Sequence, residues 1–191
     1  MQPHRIAVIA FDQISPFHLS VPCLVFGEEG SREQGYRVEV CAAEPGLLRT
    51  TAGFALQVDC GLEAMEQAQT VIMPSWRHAD EPPPAALIDA LGAYVLAATG
   101  LLDGRCATTH WASVEHFKTR FPSVEVNADV LYLDDHGLLT SAGTAAALDC
   151  CLYLLRKHWG AEIANRVARR LVMSPHRQGG QAQFIEQPVP A

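Results

Sequence analysis

The chain has 191 residues, a net charge of −7, 49% hydrophobic residues and 18% charged ones. That length fits one domain with room for a sizeable core, and the negative balance argues against a surface that grips nucleic acid phosphates by itself. No apolar run reaches the roughly 18 residues that span a bilayer, and the short apolar start lacks the shape of a signal peptide, so no membrane is implied and the expected location is the cytoplasm.

Residues 5–11, Arg-Ile-Ala-Val-Ile-Ala-Phe, form a nearly continuous apolar run. Such a run marks a strand buried on both faces, as in a parallel sheet. Asp12 ends it. Ser15-Pro16 reads as the N-cap and first residue of a helix that continues over 17–26, with Pro22 a local irregularity. His18 falls in its first turn, at the carboxyl edge of the first strand. A second strand is expected over 36–42, an edge strand over 57–60, a short helix over 62–68 and a third buried strand over 70–73. The last runs into Pro74-Ser75-Trp76-Arg77-His78. Pro82-Pro83-Pro84 then leads into a helix from Ala85, which Gly100 closes in a left-handed conformation. Asp103-Gly104 is a turn pair. The threonine-bearing stretch 105–109 suits a short strand that presents His110-Trp111 at its end. A helix over 112–121, stopped by Pro122, leads to strands over 124–134 and 138–141 around the turn Asp135-His136-Gly137. A helix over 143–159 and another over 161–173 are separated by Gly160. The tail 174–191 holds three prolines and a Gly-Gly pair without a period, and reads as a connector lying extended on the surface.

Strands alternating with helices point to an α/β domain, doubly wound, with a mostly parallel sheet and helices on both faces. In such sheets ligands bind at the carboxyl ends of the strands. Three strand ends supply polar groups there: Asp12 with His18, Ser75 with Trp76, and His110 with Trp111. The helix beginning near Gly143 adds its amino end, with Ser141 and Thr144 as caps and anion binders. The expected ligand pocket is therefore Asp12, His18, Ser75, Trp76, His110, Trp111 and Thr144. The remaining histidines, His4, His78, His116, His136 and His158, read as surface groups. No catalytic residue is named, because a nucleophile elbow needs a Cys or Ser at a sharp strand-to-helix turn. Cys106 comes too early in its strand and Cys23 lies inside a helix. The six cysteines form no Cys-x-x-Cys pair and the histidines no zinc spacing, so they read as reduced core residues and no metal or cofactor is expected.

Four stretches resemble one group of proteins: 11–22 (Phe-Asp-Gln-Ile-Ser-Pro-Phe-His-Leu-Ser-Val-Pro), 100–111 (Gly-Leu-Leu-Asp-Gly-Arg-Cys-Ala-Thr-Thr-His-Trp), 140–149 (Thr-Ser-Ala-Gly-Thr-Ala-Ala-Ala-Leu-Asp) and 175–184 (Pro-His-Arg-Gln-Gly-Gly-Gln-Ala-Gln-Phe). The group is the ThiJ/PfpI-like, or glutamine-amidotransferase-like, domain at the amino terminus of AraC-type transcriptional regulators. The resemblance implies a flavodoxin-like sheet, a pocket for a small-molecule ligand at its carboxyl edge, and a homodimer. It implies a sensing domain over 1–173, with 174–191 as the connector to a helix-turn-helix half that would alone contact DNA and that does not follow Ala191 here. The alternatives are a cysteine-dependent hydrolase or hydratase of the same superfamily and a redox sensor with an exposed, low-pKa thiol. Two departures bear on those alternatives. His18 stands where the wider superfamily carries a glutamate. A strand and an elbow, on the order of 15–20 residues, have no counterpart between Leu91 and Gly92. The expectation is a break there, with the two Cα atoms much farther apart than the roughly 3.8 Å of a trans peptide.

Overall fold

The computed structural model describes residues 3–27, 35–78, 81, 93–177, 180 and 181. Leu91 and Gly92, where the break is expected, lie outside them. In chain order come β1 (His4–Ala10), α1 (Pro16–Gly27), β2 (Tyr36–Ala42), β3 (Leu48–Arg49), β4 (Ala55–Leu56), β5 (Thr70–Ile72), α2 (Ala93–Ala98), β6 (Cys106–Ala107), α3 (Val114–Arg120), β7 (Glu125–Val126), β8 (Tyr132–Asp135), β9 (Leu138–Ser141) and α4 (Thr144–Arg170). Short 3-10 segments lie at Leu62–Gln67 and Trp111–Ser113.

β1 organises the domain. It pairs in parallel with β2 along its whole length, from His4 opposite Tyr36 to Ala10 opposite Ala42, and with β5 on its other edge. Successive side chains of a strand point to opposite faces, and here both faces are covered. Ile6 and Val8 pack with Val21, Val25 and Phe26 of α1 and with Leu152, Leu155 and Val167 of α4. Ala7 and Ile9 join Phe11, Ile14, Leu48 and Met73 on the other side, against Leu62 and Met65 of the first 3-10 turn. This is the physical origin of the unbroken apolar run at 6–11, and each fully buried Ile, Val or Phe side chain there contributes about 1.5–3 kcal/mol. The fold is α/β with parallel pairing in β2-β1-β5 and in β6-β7, and antiparallel hairpins in β3-β4 and β8-β9.

Several elements differ from the expected bounds. The expected strand over 124–134 is two short strands, because Asn127 turns the chain by accepting the Asp129 N–H on its side chain at 3.0 Å. β6 covers only two residues, and the Thr108 N–H is taken by the Thr140 hydroxyl at 2.9 Å instead of by a neighbouring strand. No strand covers 57–60; Cys60 makes an isolated bridge to Cys41, and the edge pairing is the β3-β4 hairpin instead. The short helix at 62–68 is a 3-10 turn. The helices expected on either side of Gly160 are found as expected: they form one span, α4, interrupted by a kink at Gly160, whose φ of 84° and ψ of 171° are not helical.

The connector departs further from expectation. Residues 174–176 lie exposed on the surface as expected, and the departure is at Arg177 and Gln181, which are anchored in the domain. Arg177 grips Asp149, which is 5% exposed, and Gln181 is 2% exposed. The Gln181 amide donates to the Thr109 carbonyl at 3.0 Å and to the Val130 carbonyl at 3.3 Å. These carbonyls lie beyond the ends of short strands, so a side-chain amide takes the place of a missing ladder bond.

Gly160 gives a test of the bent helix. No atom lies within 4 Å of where its Cβ would stand, so a side chain meets no clash. The backbone conformation itself is one that L-residues avoid. Gly160→Ala is expected to lower stability by about 1–3 kcal/mol in urea denaturation; an unchanged midpoint would mean that α4 can run straight.

Candidate functional site

A cavity of about 350 Å³ lies between β5 and β9. Val71, Ile72 and, just beyond the strand, Met73 and Pro74 form one side; Leu138, Leu139 and Ser141 form the other. His18, Val21 and Pro22 of α1 reach it, as do Ala147, Cys150, Cys151 and Leu154 of α4. Among the described residues no strand pairs with the second edge of β5, and β9 pairs only with β8. The space therefore sits where a sheet running on from β5 would place its next strand.

The cavity reaches both edges of the sheet. At the carboxyl edge it meets His18 and Ser141, and burial holds the His18 imidazole below its ordinary pKa. At the amino edge it meets His4, Lys157 and His158. There the His4 ring and the Thr70 hydroxyl share a hydrogen bond at 2.8 Å, and so do His158 Nδ1 and the Tyr36 hydroxyl. The two rings lie 4.9 Å apart. Burial first, and then the neighbouring basic group, depresses both imidazoles: His158 beside His4, and Lys157 beside His158. Both histidines were expected at the surface. A helical face running 151, 154, 158 carries His158 inward with Cys151 and Leu154, and that spacing was visible in the sequence.

Of the seven residues expected in one pocket, His18 lines the cavity. Asp12 stands at the end of β1 in a surface ion pair. Its carboxylate accepts from Arg49 Nη2 at 2.6 Å, Nε at 3.2 Å and the Arg49 backbone N–H at 2.8 Å. Trp76 covers the sheet edge: its ring lies 5.1 Å from Phe11, Arg77 stacks 4.9 Å from its centre, and its indole N–H donates to the Glu81 carbonyl at 2.9 Å. Arg77 in turn bridges Glu44 and Glu81 at 2.8 Å each. Ser75 sits between Pro74, which lines the cavity, and Trp76, which does not. His110 is exposed and accepts the Ala112 N–H on Nδ1 at 3.3 Å, so its ring caps the 3-10 turn that begins with Trp111. It also lies against Gly143, where a Cβ would come within 3.0 Å of the ring. Thr144 opens α4, and its side chain lies outside the described part of the structure. These residues share the carboxyl edge but divide between a charged cluster around Asp12 and Arg77, the cavity mouth at His18, and the turn at His110. Sequence spacing placed them along the edge; it carried no signal for the ion pairs that tie Asp12 and Arg77 to their neighbours.

The Asp12 pair can be checked directly. The Arg49 guanidinium holds the Asp12 carboxyl down at about 2. A folded-state value below the unfolded one contributes stability that is present above about pH 4 and lost as pH falls through about 2. Carboxyl NMR titration should find Asp12 near that low value, and Arg49→Ala should return it toward the ordinary carboxylate range; an unmoved titration would show that the pair does not persist in solution.

Among the described residues, no group of three or more His, Cys, Asp or Glu is placed to hold a metal ion, and no helix is long and apolar enough to cross a membrane. All six cysteines are free thiols. Burial raises the pKa of Cys23 and Cys106, pushes Cys41 up to about 11 and Cys150 up to about 12, and raises Cys151 well above its ordinary value. Those five are held as neutral thiols at physiological pH, the opposite of an activated nucleophile.

No protein-family model matches the chain. It is 32% identical over 181 residues to the HTH-type transcriptional regulator ArgR of Pseudomonas aeruginosa, covering 94% of this chain and 53% of that one. It is 28% identical over 153 residues to the regulator CdhR of the same organism, covering 72% of this chain and 45% of that one. The chain thus spans about half the length of these curated relatives. Among solved structures, an AraC family transcriptional regulator from Pseudomonas putida superposes with a TM-score of 0.74 at 19% identity, over 88% of this chain and 100% of the other. A ThiJ/PfpI family protein from Pseudomonas syringae gives 0.75 at 19% identity, over 93% of this chain and 78% of that one. At such identities the structures speak for the fold.

Proposed function

This chain is a ThiJ/PfpI-like domain of the kind that AraC-family transcriptional regulators carry, and from that premise we propose that it is the ligand-sensing, non-catalytic half of such a regulator. Its ligand is a small molecule held in the cavity between β5 and β9. One observation carries the reading. The same turns of α4 that line the cavity with Ala147, Cys150 and Cys151 also hold the connector, through Asp149 and Arg177. A ligand that shifts α4 against β5 therefore shifts the anchor of the segment leading toward a DNA-binding half. Ligand binding changes an equilibrium only through such differential contacts. The helix-turn-helix half of the full regulator makes the DNA contacts, the acidic domain makes none that are sequence-selective, and the domain pairs with a second copy in the cytoplasm.

The cysteine-hydrolase alternative needs a thiolate facing the cavity. Cys150 and Cys151 do face it, but burial keeps both protonated. The test is a thermal-shift screen of this chain against amino acids, amines and small carboxylic acids. A true ligand at a hundredfold excess over its Kd should raise Tm by roughly 5–10 °C. Turnover of an amide, ester or isonitrile substrate that disappears when one cysteine is replaced would overturn the reading in favour of the hydrolase. Light scattering checks the dimer separately, and a monomer would remove it from the proposal.

A further inference from the structure

We infer that the cavity takes a short, extended apolar peptide with a free carboxyl terminus, laid as a strand beside β5 with its carboxylate among His4, Lys157 and His158. This names the ligand class for the cavity in which the sensing reading places its ligand, and it rests on that reading.

The strand edges argue for a peptide. β5 pairs with β1 along one edge; among the described residues nothing pairs with its other edge, and β9 pairs with β8 alone. Both bound the cavity. Peptide groups of a parallel strand alternate between its two neighbours, so part of the β5 row of N–H and C=O groups points away from β1 and into this space. Backbone groups turned to an apolar space cost free energy unless they find partners. A ligand with amides at strand spacing supplies those partners, and a plain hydrocarbon cannot. Its side chains would meet apolar walls at Val21 and Pro22 of α1, Leu154 of α4 and Leu96 of α2. A tripeptide in a strand is about 10 Å long, and the cavity volume lies at the small end of ligand sites, which limits the peptide to a few residues.

The charges set its direction. His4, bonded to Thr70 at the start of β5, lies with His158 and Lys157 at one mouth. Lys157 is bonded to Asp134 at 2.7 Å, and Asp134 also accepts the Tyr153 hydroxyl at 2.7 Å. Asp134 thus pairs with Lys157, while the two imidazoles at this mouth bond to hydroxyl groups, of Thr70 and Tyr36, and among the described residues to no carboxylate. An arriving carboxylate would be the first negative group against the imidazoles, giving them a reason to take up protons, with Lys157 beside them as a further donor. With its carboxylate at the start of β5 the peptide runs antiparallel to that strand, since a parallel one would bring its ammonium group to the basic mouth instead.

The experiment is isothermal titration of this chain with N-acetyl-Val-Ala-Val as the free acid, with the same peptide as its C-terminal amide, and with octanoate. The acid is expected to bind, with the amide and octanoate each at least about tenfold weaker, the scale of a single charge-assisted or backbone hydrogen bond. Lys157→Gln should abolish the preference for acid over amide. Ala147→Phe, which fills the cavity away from the basic mouth, should abolish binding. A carbonyl-labelled acid followed by isotope-edited infrared gives a readout that needs no variant: its amide band should move to the position of paired β-strand on binding. Equal affinity for acid and amide, octanoate binding as tightly as the peptide, or an unmoved labelled band would each overturn the proposal. If the peptides fail while a compound from the thermal-shift panel binds the cavity, the peptide assignment falls and the sensing reading stands.

Discussion

Replacing Arg177 with methionine is expected to lower the stability of the chain by about 3 kcal/mol, the lower end of the cost of breaking a buried ion pair. The Asp149 side chain is 3% exposed, and Arg177 Nε donates to its two oxygens at 2.9 and 3.0 Å. Arg177 Nη2 donates to the same carboxylate and, at 3.1 Å, to the Ala145 carbonyl in the first turn of α4. Removing the guanidinium leaves a carboxylate shut away from water with nothing to balance it, and the desolvation cost of that charge is what the experiment reads. Arg177 itself is a third exposed, which lets some water reach the carboxylate and sets the estimate at the low end. Urea denaturation measures the loss, and Asp149→Asn combined with Arg177→Met should recover part of it. A loss below about 0.5 kcal/mol, typical of a surface pair, would mean that the connector is not anchored there.

Phe26→Ala is the larger change, about 3–5 kcal/mol. Phe26 is fully buried at the end of α1, with its ring 5.3 Å from that of Tyr36 on β2, and it shares a core with Leu152 and Leu155 of α4. Three elements meet on this ring, so truncation opens a void that none of them can close alone. The midpoint in urea should fall without a change in slope. A cost near 1 kcal/mol would contradict the packing of α1 and α4 on one face of β1.

The sheet core was legible because its signal is local. The run at 6–11 and the residues of β2 and β9 announced themselves by composition, and Pro16 and Gly160 marked where helices start and bend. The short strands were legible only in part. Two residues of pairing, as in β3 and β4, leave no period to read; β6 and β7 were placed but drawn too long, because Thr108 and Asn127 engage backbone groups with side chains in ways that spacing does not encode. The candidate site shows the same division. His18 could be placed at the cavity by its position in the first turn of α1. Asp12 was drawn instead to Arg49, 37 positions away, and Trp76 to its neighbour Arg77 and to the Glu81 carbonyl. His4 and His158 meet across 154 positions, a contact that only the folded chain makes. The buried role of Gln181 likewise depends on carbonyls at Thr109 and Val130 that nothing in the tail specifies.

The claim that binding in the cavity is felt at the connector can be measured by hydrogen exchange of this chain, with and without the compound that most raises its Tm. The account predicts slower exchange in β5 and in the first turns of α4, together with a change at 174–177, where the connector leaves the domain. Protection confined to a surface away from β5 and β9, or protection in the cavity with the connector unchanged, would contradict it.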